Sequence, residues 1–135
     1  MRIGWIDPRP DAFPPDPPPG IELVYSEQPA RFLEETPEVA GVLVSTHSHA
    51  LDFALVAAAL ARDDPVHVGL IGSASKRARF VSGLRALGLP ETRIARLACP
   101  LGGTTADKRP EVIALLGAAE LWRALAASAG SGKAA

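Results

Sequence analysis

The chain is 135 residues long and 14.1 kDa in mass, the length of one ordinary domain, and a chain of that size buries roughly two-thirds of its unfolded surface on folding. Hydrophobic residues at 47% and charged residues at 21% exclude a disordered or coiled-coil chain, and the single cysteine excludes an intrachain disulfide and a four-cysteine zinc site. The formal net charge of -1 gives no reason to expect nucleic acid, no apolar run reads as reaching the ~20 residues that span a bilayer, and the N-terminus lacks a signal-peptide pattern, so a soluble, cytoplasmic protein with no membrane partner is expected.

The charge is unevenly spread. Residues 1–65 hold eleven acids against four bases, a net of −7, and residues 66–135 hold four acids against ten bases, a net of +6. Such bipolarity signals either an anion site in the second half or two solvated faces that offset each other.

Arg2–Asp7 (RIGWID) reads as a strand. It runs into a segment with seven prolines between Pro8 and Pro19, which can be neither helix nor central strand and reads as a loop. Ile21–Tyr25 (IELVY) is a second strand, followed by a short acidic helix over Pro29–Glu35. Gly41–Thr46 (GVLVST) has the near-unbroken apolar, β-branched character of a parallel strand covered on both faces. Ala50–Arg62 is expected as a mostly buried helix, Val66–Ile71 as a strand, and Ser73–Leu87 as a helix with Phe80, Val81, Leu84 and Leu87 on one face. Arg93–Ala98 is a final short strand. Pro110 opens a long helix through Val112, Ile113, Leu116, Leu121 and Leu125, giving a domain over residues 1–128 and a flexible tail over 129–135. Strands alternating with helices indicate an α/β domain with a mostly parallel sheet, whose ligands bind at the carboxyl ends of the strands.

Four strand ends are chemically unusual. Asp7 ends the first strand as the ribose-binding acid does in dinucleotide-binding folds, although an Asp opening a D-P turn accounts for it equally. Thr46, His47, Ser48 and His49 form the next junction, with Asp52 one turn on. The histidines are candidates for a metal or for proton transfer, Ser48 for a helix cap, and Asp52 needs a partner, for which His47 or His49 is nearest in sequence. In GLIGSASKRARF the strand ends at Gly72 and the helix starts with Lys76, Arg77 and Arg79. Cations there oppose the helix dipole, a penalty that an anion held by backbone N–H groups, Ser73 or Ser75, and Lys76 would reverse. The P-loop spacing is absent. Cys99, followed by Pro100 and Gly102, is either a small buried residue or a thiolate at the ligand-binding edge.

These segments in series resemble the C-terminal Rossmann-like domain of the xanthine dehydrogenase accessory protein family, XdhC/CoxI. The matching pieces are WIDPRP, VSTHSHALDFAL, VGLIGSASKRARF, ACPLG and KRPEVIALLGAAEL, together running from Arg2 to Leu121. The resemblance implies a Rossmann-like three-layer sandwich and a chaperone that binds molybdenum cofactor (molybdopterin) and delivers it, sulfurated, to apo xanthine dehydrogenase or a related hydroxylase, without catalysing redox chemistry. A cysteine desulfurase and a second copy of the chain are further implied partners. The candidate cofactor-binding set is Asp7, Thr46, His47, His49, Asp52, Gly69, Gly72, Ser73, Ser75, Lys76, Cys99 and Gly102, with no catalytic residue and no metal ligand assigned.

Two features depart from the family. Ser48 stands where many relatives carry an acid, and the first strand with its G-A-G-H-type loop is lacking. That strand is central in a doubly wound sheet, so the sheet is expected either to re-pair across the gap or to leave backbone groups unpaired. The chain reads as a fragment, a mis-assigned start, or one completed by a partner or its own dimer. Two rival functions follow: an NAD(P)-linked Rossmann oxidoreductase using Asp7, disfavoured by the absent glycine-rich loop, and a ligand-free interaction or regulatory domain.

Overall fold

A computed structural model describes residues 1–134, with side chains as far as Gly130. Short β-branched and leucine-rich runs form five strands, each closed by Pro, Gly, Ser or Asp that turn the chain. β1 (Ile3–Asp7) and β2 (Ile21–Tyr25) pair in parallel, from Ile3 opposite Ile21 to Asp7 opposite Tyr25. The proline segment between them holds one turn of 3-10 helix at Pro10–Ala12, and Phe13 packs edge-on to Trp5. α1 (Pro29–Glu35) leads to β3 (Gly41–Val44), α2 (His49–Ala61), β4 (His67–Leu70), α3 (Ala74–Ala86), α4 (Glu91–Ile94), β5 (Leu97–Ala98) and α5 (Pro110–Ala134). The second sheet has the order β3-β4-β5 and is also parallel, with Val42 opposite Val68 and Val68 opposite Leu97. The fold is the expected α/β, Rossmann-like type.

Strand alternation sends Val44, Val68 and Leu70 to one face of this sheet, into a buried core with Val56 and Leu60 of α2, Phe80 and Leu84 of α3, and Ile94. Leu60, Leu70 and Leu84 are fully enclosed, each contributing roughly 1.5–3 kcal/mol. The opposite face carries Gly41, His67 and Gly69, and α5 lies across it. A Cβ at Gly41 would stand 2.6 Å from Leu121, and one at Gly117 would stand 2.8 Å from Leu101. The missing side chains therefore let α5 approach the strands.

The sheet does not re-pair. β1–β2 and β3–β4–β5 remain separate, and among the described residues no backbone hydrogen bond joins Ile3–Asp7 to Gly41–Thr46. The buried apolar core begins only at Leu33; nothing in β1 or β2 belongs to it.

Three expectations are corrected. Arg93–Ala98 is not one strand: Glu91–Ile94 is a helical turn, and only Leu97–Ala98 pairs. Arg93 and Arg96 are held there as donors to the C-terminal carbonyls of α2, Arg96 to Leu60 O at 2.7 Å and Arg93 to Ala61 O at 2.8 Å. Leu87 is exposed rather than part of the α3 apolar face. It is the C-cap of a Schellman turn, in which Leu89 N–H donates to Leu84 O and Gly88 (φ +88) takes the left-handed conformation. The backbone of α5 continues to Ala134, and Ala135 lies outside the described residues. Finally, Pro110–Gly130 is long and apolar enough, by length and composition, to cross a membrane, because alanine and leucine dominate it and its few charges are spread thinly.

Candidate functional site at the carboxyl ends of the strands

Asp52 and Lys76 organise the centre of this edge. Ser48 caps α2, its Oγ accepting from Leu51 N–H, and so places Asp52 in the first turn. Ser73 caps α3 in the same way, accepting from Lys76 N–H, and so aims the Lys76 side chain back under the strand ends. The Lys76 ammonium donates to Asp52 Oδ2 at 2.8 Å and to Ile71 O at 2.9 Å, and lies 5.5 Å from the centre of the Phe80 ring. Thr46 N–H donates to the other Asp52 oxygen at 2.9 Å. Burial pushes the Asp52 carboxyl up, but Lys76 and the Thr46 donors outweigh it and hold the carboxyl below its ordinary value.

This arrangement overturns two expectations. Asp52 is paired with Lys76 and Thr46, not with His47 or His49. Lys76 is buried and bonded inward, so it is not the residue that meets an anion at the head of α3. The two strand-to-helix junctions are tied together by this ion pair, which accounts for a carboxylate on an otherwise apolar helix.

The outward groups are different. Gly72, Ser73, Ala74 and Ser75 are exposed at the start of α3, where the first helical N–H groups have no intrahelical acceptor. His47 and His49 are exposed on the adjoining junction. Asp7 itself is engaged: Arg9 donates to it from its backbone N–H, Nε and Nη2 at 2.9–3.2 Å. The Arg9 bond holds the Asp7 carboxyl below its ordinary value. The residue thus closes its own D-P-R turn.

Cys99 stands at the end of β5, its Sγ 3.9 Å from Ser73 O and close beside Gly72. Burial pushes its thiol pKa up, against a weaker pull from Lys76 and Arg77, so the group is a protonated, buried thiol rather than the thiolate considered from sequence. Gly69 and Gly102 are not on the open edge. A Cβ at Gly69 would lie 2.6 Å from Leu101, and one at Gly102 would lie 2.8 Å from Leu116 and 3.0 Å from the Gly117 backbone. Both positions are packing positions beneath α5.

Two features lay outside the sequence reading. A cleft of about 270 Å³ opens beside the end of β4, lined by Ile71, Leu101, Lys108, Pro110, Ile113 and Ala114. Its walls come from three separated segments, and the only sequence signal was a lysine just ahead of the proline that starts α5. His67 is buried under α5, its Nε2 3.3 Å from Glu120 Oε2 but without hydrogen-bond geometry, and neither ring nitrogen has a partner. Glu120 instead accepts from Gly102 N–H at 3.0 Å. Among the described residues no group of three or more His, Cys, Asp or Glu is placed to hold a metal ion.

The comparison with known families decides the assignment. The family model described as the XdhC Rossmann domain matches residues 1–121. The chain belongs to the XdhC Rossmann-domain family. No curated protein matches it significantly. Membership carries with it, coarsely, an XdhC-type accessory role, and the XdhC match takes in all of β1 through β5 and the first half of α5, including the whole edge described above.

Proposed function

We propose that the chain is a molybdenum-cofactor chaperone, which holds the cofactor for insertion into xanthine dehydrogenase or a related molybdenum hydroxylase and performs no redox chemistry itself. The observation that carries this reading is the family match over residues 1–121. The chemistry of the edge agrees with it. Molybdopterin is a flat heterocycle bearing a phosphate. The unpaired N–H groups and hydroxyls at Ser73–Ser75 suit the phosphate. The largely apolar cleft beside Ile71, rimmed by Lys108, suits the ring, and His47 and His49 offer outward ring nitrogens as donors or acceptors.

On this reading the phosphate meets the exposed α3 backbone rather than the Lys76 ammonium, which is bonded inward. Lys76 acts one step removed, by fixing the turn through Ile71 O and Asp52. The oxidoreductase alternative loses ground on the same edge, because the Asp7 carboxylate is already occupied by Arg9.

The test is reconstitution of apo xanthine dehydrogenase with cofactor, with and without the chain. Stimulation by the chain is expected, reduced tenfold or more by Ser75→Asp, which sets a negative charge at the exposed head of α3 without touching the core. No stimulation by the unaltered chain, or equal stimulation by Ser75→Asp, contradicts the reading.

A further inference from the structure

His67 is a buried titratable group that neither the Asp52–Lys76 pair nor the open edge uses. It stands in β4 on the face that α5 covers and is only 6% exposed. Leu43 of β3 and Leu101 of the loop after β5 crowd its ring: a Cβ built at Gly69 would meet both of them and His67 Cε1 within 3.0 Å. Neither ring nitrogen has a hydrogen-bond partner. A buried neutral imidazole in that position has given up the bonds it makes in water and gained none.

Among the described residues one carboxylate faces the ring. Glu120 Oε2, on α5, lies 3.3 Å from His67 Nε2, and the same oxygen accepts from Gly102 N–H at 3.0 Å. The other elements packed here bring no titratable group: β3 contributes Gly41, opposite His67, and Leu43, and the loop after β5 contributes Leu101. Arg96, which precedes β5, turns its guanidinium to Leu60 O and Pro65 O instead. Imidazole is the side chain that ordinarily changes charge between about pH 5 and 8. On gaining a proton the ring acquires a charge-assisted partner already within reach, in surroundings that screen it little. A carboxylate oxygen accepts more than one donor, so Gly102 N–H keeps its bond while His67 makes its own.

We propose that His67 and Glu120 form a proton-operated clamp, in which protonation of the buried ring ties α5 to β4 and, through the shared Glu120 oxygen, stiffens the turn at Gly102. Loss of the proton as pH rises leaves Glu120 holding only the Gly102 N–H. This turn follows Cys99, which lies beside Gly72 and Ser73, and its Leu101 walls the cleft at the end of β4. The clamp therefore sets how firmly one side of the candidate site is held, whatever ligand binds there.

The test is amide hydrogen exchange of the intact chain at about pH 5 and about pH 8, each amide corrected for its intrinsic rate. The Gly102 amide is expected to be roughly fivefold better protected at the lower pH. Glu120→Gln, whose amide oxygen still accepts from Gly102 N–H, should keep the protection seen at the higher pH and lose the increase. His67→Phe preserves a ring that takes no proton and should also lose the increase, which separates His67 from the exposed His47 and His49. If His67→Phe does not fold, Glu120→Gln carries the test, because it alters a partly exposed side chain and leaves the core in place. The proposal is overturned by unchanged or weaker Gly102 protection at the lower pH in the unaltered chain, or by an equal increase in either variant.

Discussion

Replacing Lys76 with alanine is expected to cost about 3–5 kcal/mol of stability, because the Asp52 carboxylate would remain buried without its cation. Urea denaturation reads this loss as a fall in midpoint with an unchanged slope. Asp52→Asn is expected to cost less than Lys76→Ala. It leaves a neutral amide able to accept from Thr46 N–H, but it strands the ammonium with Ile71 O alone. The double replacement Lys76→Met with Asp52→Leu removes both charges and should recover most of the loss. Near-wild-type stability in Lys76→Ala would show that the ion pair is not a structural element.

The same pair sets a pH dependence. The folded Asp52 carboxyl titrates below its unfolded value of about 3.9, so its contribution is fully present above that value. It is lost as pH falls through the lower folded pKa. Wild type is therefore expected to weaken below about pH 4, and Asp52→Asn to lack that part of the acid limb. The ion pair also alters how a ligand experiment reads: weaker cofactor binding by Lys76→Ala reports a disturbed turn as readily as a lost contact.

Gly102→Ala is the second large effect. Gly102 has φ +81, where an L residue is strained by roughly 1–2 kcal/mol, and its Cβ would stand 2.8 Å from Leu116 and 3.0 Å from the Gly117 backbone nitrogen. Backbone cannot step aside as a side-chain tip can, so overpacking adds about 1–3 kcal/mol. The expected total is about 2–5 kcal/mol, read by thermal or urea unfolding. Gly103→Ala is the control: its φ of +85 carries the same strain, but nothing lies within 4 Å of its Cβ. It should lose only the conformational part. Equal losses in the two variants would show that α5 does not press on the Gly102 turn.

Much of the fold was legible because the strands are short apolar runs separated by Pro, Gly and Ser, and because Ser48 and Ser73 announce the starts of α2 and α3. The failures have physical causes. Lys76, Arg77 and Arg79 at the start of α3 read as cations gathered around a bound anion, yet the capping turn at Ser73 directs Lys76 inward while Arg79 is exposed. The demand that Asp52 have a partner was visible in sequence; that the partner lay 24 residues away was not. Gly69 and Gly102 suggested a ligand loop, but they and Gly117 are the small residues that admit Leu101 and α5. That relation joins three segments and has no local signature. Arg93 and Arg96 likewise act on carbonyls more than 30 residues distant, which no periodicity records.

The most direct measurement is anaerobic equilibrium binding of molybdenum cofactor to the purified chain, read by pterin fluorescence and molybdenum content after gel filtration. The account predicts one pterin and one molybdenum retained per chain, with retention reduced at least tenfold by Ser75→Asp and unaffected by Cys99→Ser, whose thiol is buried and protonated. Absence of both pterin and molybdenum from the protein peak, or retention that depends on Cys99 and ignores Ser75, would contradict it.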